Sequence, residues 1–322
     1  MMYFSILPSV IITSGLSEYL IMDIEENSYS EIPIEWGKIL ESSSIFIIGE
    51  EEVKYEEINI PRIYDQELVD YMVNNGMAII TRFPTTFSSY SFKEWGIPFP
   101  FESLIIDVNS IKDLHNVLST LPSRRISHFI QLRLFFICSA EKLKKIIKDV
   151  ISYGYFNIEV VFNHDKKTNI SAYTHILASY PFHISRLVVM NSMDLHTLDN
   201  KIIFNKNKIT NSNDCGLISE NLFSINIDSY AKYCLGNTCL WKKISIDVKG
   251  NIRNCPSTSV IYGNISNTSL IDVLSNKTYH FLSNIKKEDV EDCRQCKFRK
   301  CCIDCRGGVN NYYEKPNKCN LF

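Results

Sequence analysis

Glycine is scarce in this 322-residue chain: there are twelve, about half the usual ~7% share. None falls into the repeated pattern of a phosphate-cradling loop, so nucleotide-binding loops are disfavoured. Positive charge is not in excess either, with 34 Lys and Arg against 36 Asp and Glu, and no global basic character points to nucleic acid. Runs of about 18 uncharged apolar residues are absent. The apolar stretch 1–12 carries no Lys or Arg and is broken by Ser14, Gly15, Ser17 and Glu18. Neither a signal peptide nor a membrane anchor is therefore expected, and the chain reads as cytoplasmic. The most telling shortage is of cysteine in the first two thirds: only Cys138 precedes Cys215, whereas ten of the eleven cysteines lie from Cys215 to Cys319.

What is present suffices for a folded chain, since 45% hydrophobic and 22% charged residues support two or three domains with a substantial core. Residues 1–82 hold short apolar runs at 3–7, 10–13 and 19–24, followed by two helical patterns. The first covers 36–41; the second covers 66–75, sets Leu68, Tyr71 and Met72 on one face and ends at Gly76, a C-cap. Strands followed by helices in so small a segment suggest a winged-helix-like α+β module. Its first 60 residues carry twelve acids against two lysines, either a solvated acidic face or a docking surface for a basic peptide.

Pro84, Pro98 and Pro100 mark a boundary over 83–101. Beyond it, strand-like runs at 104–108, 129–136, 156–162 and 185–190 alternate with helical runs at 111–121, 140–153 and 171–179. This β-α-β-α-β-α-β pattern over 101–210 predicts an α/β fold with a parallel sheet. Four strands are too few to close an eight-stranded TIM barrel, so an open, partial (β/α) TIM-like barrel is expected. A polar, Asn- and Lys-rich connector follows at 201–214. The seven histidines show no metal-binding spacing, no G-x-S-x-G elbow occurs, and Cys138 reads as a buried thiol at a strand end.

The cysteines fall into two blocks. In the first, Cys239 is followed by ten residues, Gly250, four residues and Cys255; the alternation over 244–248, the turn at Lys249-Gly250-Asn251 and Ile252 predict a hairpin that brings both thiols to one end. In the second, Cys293, Cys296, Cys302 and Cys305 are separated by gaps of two, five and two, and Cys319 follows after thirteen more. In a reducing compartment such a cluster signals metal ligation rather than disulfides. Two-residue gaps suit zinc or iron–sulfur ligation, and basic residues Arg294, Lys297, Arg299, Lys300 and Arg306 surround the run, where they offset cluster charge or form a solvated face.

This spacing resembles the SPASM domain, the cysteine-rich extension of radical SAM peptide-modifying enzymes that carries auxiliary iron–sulfur clusters. Cys239, Gly250, Cys255, Cys293, Cys296, Cys302, Cys305 and Cys319 match its order, placing that domain at 215–322. One departure is visible: the usual last gap of the run is met from Cys301, while the gap before it favours Cys302. The matched cysteines leave one ligand short of two four-Cys sets, with Cys215 and Cys234 as candidates. By the resemblance, Cys239, Cys255, Cys305 and the upstream cysteine hold one [4Fe-4S] cluster, and Cys293, Cys296, Cys302 and Cys319 hold the other. Zinc is the alternative.

A radical SAM barrel carries C-x3-C-x2-C after its first strand; residues 107–113 contain no cysteine, so no SAM cleavage is expected. The segments Cys239-Leu-Trp-Lys-Lys-Ile-Ser-Ile-Asp247, Gly250-Asn-Ile-Arg-Asn-Cys-Pro256 and Cys293-Arg-Gln-Cys-Lys-Phe-Arg-Lys-Cys-Cys-Ile-Asp-Cys305 resemble the grasp-with-spasm peptide maturases. That family implies an ATP-grasp ligase and a precursor peptide as partners in ribosomal peptide natural-product maturation. Through Cys215-Gly216 it favours Cys215 as the eighth ligand, and residues 1–82 resemble the winged-helix leader-peptide recognition modules of such systems, with a plain accessory domain as the alternative. The rival readings are a redox or Lewis-acid enzyme working through an open cluster iron, and a zinc-stabilised peptide-binding adaptor.

Overall fold

The computed structural model describes residues 1–49, 60–93, 95–122, 125–192, 197–198, 200–214, 218 and 223–321. The N-terminal module runs β1 (Met2–Ile6), β2 (Val10–Ser14), β3 (Tyr19–Asp23), β4 (Ser28–Ile32), α1 (Ile34–Ser42), β5 (Ile45–Ile48), β6 (Arg62–Ile63), α2 (Gln66–Asn74) and β7 (Ala78–Thr81). Its strands form two sheets, one ordered β6-β5-β1-β7 and one ordered β2-β3-β4. The unit is α+β, with two small sheets where a winged helix would use one. Phe4, Phe46, Leu68, Met72 and Ala78 share its core. Helix α2 starts where the Asp65 carboxylate accepts from the Leu68 N–H and stops before Gly76, whose φ of 69° suits glycine. Helix α1 crosses β3 so closely that a Cβ on Gly37 would lie 2.0 Å from the Tyr19 ring.

The remainder follows the expected alternation: β8 (Phe101–Val108), α3 (Ile111–Thr120), β9 (Ser127–Cys138), α4 (Ala140–Ser152), β10 (Ile158–His164), α5 (Ser171–Ser179) and β11 (Ile184–Met190). It continues through β12 (Thr197–Leu198), β13 (Ile202–Phe204), α6 (Ile227–Leu235), β14 (Lys243–Ile246), β15 (Asn251–Arg253), β16 (Gly263–Asn264) and α7 (Lys277–Asn284). One nine-stranded sheet results, in the order β12-β13-β11-β10-β9-β8-β14-β15-β16. Its centre is parallel, whereas β12, β15 and β16 pair antiparallel. The sheet is open: end strands β12 and β16 do not meet, and no TIM-like barrel closes among the described residues.

Side chains alternate across this sheet, as the strand period dictates. Leu104, Ile106, Ile130, Leu132, Val160, Phe162 and Leu187 face helices α3 to α5 and share one core with Leu118, Ile146, Ile147 and Tyr173. The intervening positions carry Asp107, Gln131, Arg133, Glu159, Asn163 and Arg186. Strand β14 lies parallel to β8 with Ile244 opposite Leu104. The hairpin expected within a separate 215–322 domain therefore prolongs the sheet of 101–210, and the two share a core through Ile244, Ile246 and Ile252.

Candidate metal centre

The β14–β15 hairpin is fixed by its turn. The Asp247 carboxylate accepts from the Lys249 and Asn251 backbone N–H groups, at 2.9 and 3.0 Å, and from Arg253 Nε at 3.0 Å; Gly250 takes φ 79°. Burial alone would raise the pKa of Asp247, but donors from Asn251, Arg253 and Lys249 outweigh it and hold the carboxyl below its usual range. Upstream, Asn237 Oδ1 accepts from the Cys239 and Leu240 N–H groups, and Lys243 Nζ lies 3.3 Å from Cys239 Sγ. Cys255 packs with Leu240, Leu282 and Ile285. A Cβ built on Gly307 would meet Ser257 Cβ at 2.9 Å and Cys305 Sγ at 3.6 Å, so Cys305 lies close to the turn that follows Cys255.

The second block is a chain of tight turns, with Cys293 N–H bonded to Val290 O, Cys296 N–H to Cys293 O and Cys301 N–H to Phe298 O. These turns gather Cys293, Cys296, Cys302 and Cys319 around one small cavity, of about 10 Å³, whose wall also holds Lys287, Asp292, Arg299, Lys315 and Leu321. Cys319 is anchored there by a bridge to Ile218, and Cys302 Sγ accepts from the Asp304 N–H at 3.4 Å. Burial pushes the Cys302 thiol up to about 11 and also raises Cys293 and Cys296. Four thiols around one enclosed space are the donor set of a thiolate-ligated iron–sulfur cluster or zinc ion, whose charge would offset what burial opposes. Among the described residues, no three His, Cys, Asp or Glu side chains are already set around one ion.

Residues 234–297 match SPASM, an iron–sulfur cluster-binding domain. The matched segment contains Cys234, Cys239, Cys255, Cys293 and Cys296, and the cavity adds Cys302 and Cys319 just beyond it. A search of curated proteins finds no match for the chain.

The other cysteines are placed differently. Cys301 sits apart from the cavity in an apolar cluster with Leu20, Met22 and Phe298, and its thiol donates to Phe298 O at 3.4 Å. Cys234, in the last turn of α6, is hydrogen-bonded to Tyr230, its carbonyl accepts from Lys286 Nζ, and Lys300 and Glu288 act on its thiol through their charge. Cys215 lies outside the described residues. Cys138 is fully buried in the main core, and desolvation pushes its thiol up to about 12, which leaves it inert at neutral pH.

The basic residues of the run face two ways. Lys297 bridges Glu18 and Glu31, Lys300 donates to Ile12 O at 2.7 Å, and Arg299 donates to Ser14 O. These contacts clamp the β2-β3-β4 sheet onto the SPASM cysteine run, with Leu20, Met22 and Ile24 packed on Cys296, Phe298 and Cys301. Arg306 instead turns inward, 2.8 Å from Asp304 Oδ1, which is also 3.0 Å from Lys287 Nζ. Sequence reasoning missed Lys287, Asp304 and Asn237: Lys286-Lys287-Glu288 looks like any solvated charge run, and nothing in it signals that one lysine is buried.

The C-terminal ends of parallel strands, where ligands of open α/β sheets usually bind, are occupied by the chain itself. Asp107 pairs with Arg133 at 2.6 Å and accepts from Ser212 Oγ at 2.6 Å. Asn163 bonds both the N–H and the C=O of Ile209, while Val161 and Met190 pack on Ile209. The polar connector thus crosses the strand ends as a plug. Ser257 Oγ donates to Ser212 O and Lys318 Nζ to Asn213 O, joining the plug to the SPASM side.

Proposed function

We propose that this protein is an iron–sulfur maturation factor for a ribosomally made peptide, working beside an ATP-grasp ligase in the cytoplasm and cleaving no SAM of its own. The observation that carries the reading is the gathering of Cys293, Cys296, Cys302 and Cys319 around one cavity in and beside the SPASM match. These four would hold one [4Fe-4S] cluster. Cys239, Cys255 and Cys305 would hold a second, and the position of Cys234 among Tyr230, Lys286 and Lys300 supports Cys215 as its fourth ligand. When bound, the clusters supply negative charge, electron capacity and cross-links between the hairpin and the cysteine run. The missing three-cysteine motif and the plugged strand ends both favour a scaffold over a SAM-cleaving site. The N-terminal module, seated on the cysteine run, is the element proposed to dock the precursor peptide.

Anaerobic purification with iron, sulfide and zinc analysis tests the cofactor: about eight irons per chain are expected from two four-iron clusters, and colourless protein with stoichiometric zinc would overturn it. Co-expression with an ATP-grasp ligase and a candidate precursor tests the partners. Co-purification and chain-dependent modification are expected; modification that proceeds equally without this chain would overturn the maturation role.

A further inference from the structure

We propose that Lys287 sets the reduction potential of the cluster held by Cys293, Cys296, Cys302 and Cys319, with Asp304 opposing it. The proposal rests on the iron–sulfur reading above. Lys287 is only 4% exposed, lines the cavity and places Nζ 3.8 Å from Cys293 Sγ. Its partner Asp304 is 2% exposed and is fixed from three sides, by Lys287 at 3.0 Å, Arg306 Nε at 2.8 Å and Asn237 Nδ2 at 2.7 Å. Arg306, at 1% exposure, donates from Nη1 to both Tyr312 O and Glu314 O, while its Nη2 has no hydrogen-bond partner among the described residues. Two cations therefore stand against one carboxylate in a region closed to water, where screening is weak.

A thiolate-ligated cluster gains one negative charge on reduction. A fixed cation beside it stabilises the reduced form more than the oxidised form and raises the potential; a fixed anion lowers it. Arg299 and Lys315 also line the cavity, but Arg299 donates to Ser14 and Lys297 pairs with Glu18 and Glu31, whereas Lys287 directs its ammonium at Cys293 Sγ. A pair that serves folding alone and does not act on the cluster would leave the midpoint unshifted in both variants.

The test is a redox titration of full-length, anaerobically loaded protein, followed by EPR of the reduced clusters, with iron and sulfide measured for each variant. Lys287→Met should make one cluster's midpoint more negative, and Lys287→Arg should restore it. Asp304→Asn, which keeps the shape and tolerates the φ of 47° at that position, should make it more positive. Unshifted midpoints, or shifts of the same sign in Lys287→Met and Asp304→Asn, would overturn the proposal. Should Lys287→Met fail to retain iron, Asp304→Asn decides alone: an upward shift supports the proposal and anything else overturns it. Wild-type protein without a reducible cluster would overturn the iron–sulfur reading itself.

Discussion

Phe298 marks the point where the β2-β3-β4 sheet meets the cysteine run. It is 4% exposed, lies among Leu20, Met22, Ile24, Cys296 and Cys301, and sets its ring 6.2 Å from that of Tyr29 and 5.2 Å from that of Phe223. Truncation to alanine removes a large buried ring from a closely packed site, at a cost of about 3–5 kcal/mol. The Lys297 pairs of the same contact are partly exposed, their carboxylates 44% accessible, and each contributes about 0–1 kcal/mol. Phe298 thus carries most of the contact's energy. Opening of β2, β3 and β4 away from the run should become between about a hundredfold and a few thousandfold more frequent in Phe298→Ala, since ~1.4 kcal/mol is tenfold. Amide hydrogen exchange on the loaded protein reads this directly, with β8, β9 and β10 as internal reference. Phe298→Leu, which conserves most of the volume, should accelerate exchange by about tenfold at most. Acceleration below tenfold in Phe298→Ala, or equal acceleration in the reference strands, would refute the reasoning.

Cys302→Ser should remove up to half of the bound iron, because Cys302 lines the cavity, whereas Cys301→Ser should retain the iron and cost about 1–2 kcal/mol for a buried thiol exchanged for a hydroxyl; iron and sulfide per chain and urea midpoints separate the two. Asp247 has a folded pKa below its unfolded one, so its contribution is present above the unfolded value and is lost as pH falls through the folded one. The stability gap between wild type and Asp247→Asn should therefore be full at neutral pH and shrink below about pH 4, as read by urea unfolding of metal-free protein across pH; a gap that grows on acidification would contradict this. Breaking the buried Asp107–Arg133 pair by Arg133→Met alone should cost about 3–5 kcal/mol, and the double replacement Asp107→Leu with Arg133→Met should recover much of it, as checked by urea unfolding.

The helices of the N-terminal module and of the central sheet were legible to within a residue or two, whereas α6 and α7, among the cysteines, were not anticipated. The stretch 171–179 is α5 as expected, and 111–121 and 140–153 shorten only by their final residues. The strands β8 to β11 announced themselves by apolar runs buried on the helix side. Strands β5, β7 and β13, apolar runs of three or four residues, were missed because they are too short to show a period, and other missed strands have further causes. Strand β4 is Ser-Tyr-Ser-Glu-Ile, mostly exposed and without an apolar alternation, and β6, β12 and β16 are two residues long. The pairing of β14 with β8 is a contact between residues about 140 positions apart, for which local pattern carries no signal. The same holds for the connector, whose Asn and Ser content reads as a solvated loop until Asn163 and Asp107 bind it. At the candidate metal centre, spacing singled out the cysteines as candidates, but the grouping of four around the cavity and the burial of Lys287 come from tertiary structure.

The clamp between the β2–β3 hairpin and the cysteine run joins residues 279 to 288 positions apart. At a synthesis rate of about 5–20 residues per second, roughly 14–58 s pass between the making of Ile12 and that of Lys300. During that interval Leu20, Met22 and Ile24 have no Phe298 to cover them, and β2 presents open backbone carbonyls at a sheet edge. The contact that seats the N-terminal module is thus also an exposure during biogenesis, and the supply of iron and sulfide late in synthesis would bear on how quickly it is closed.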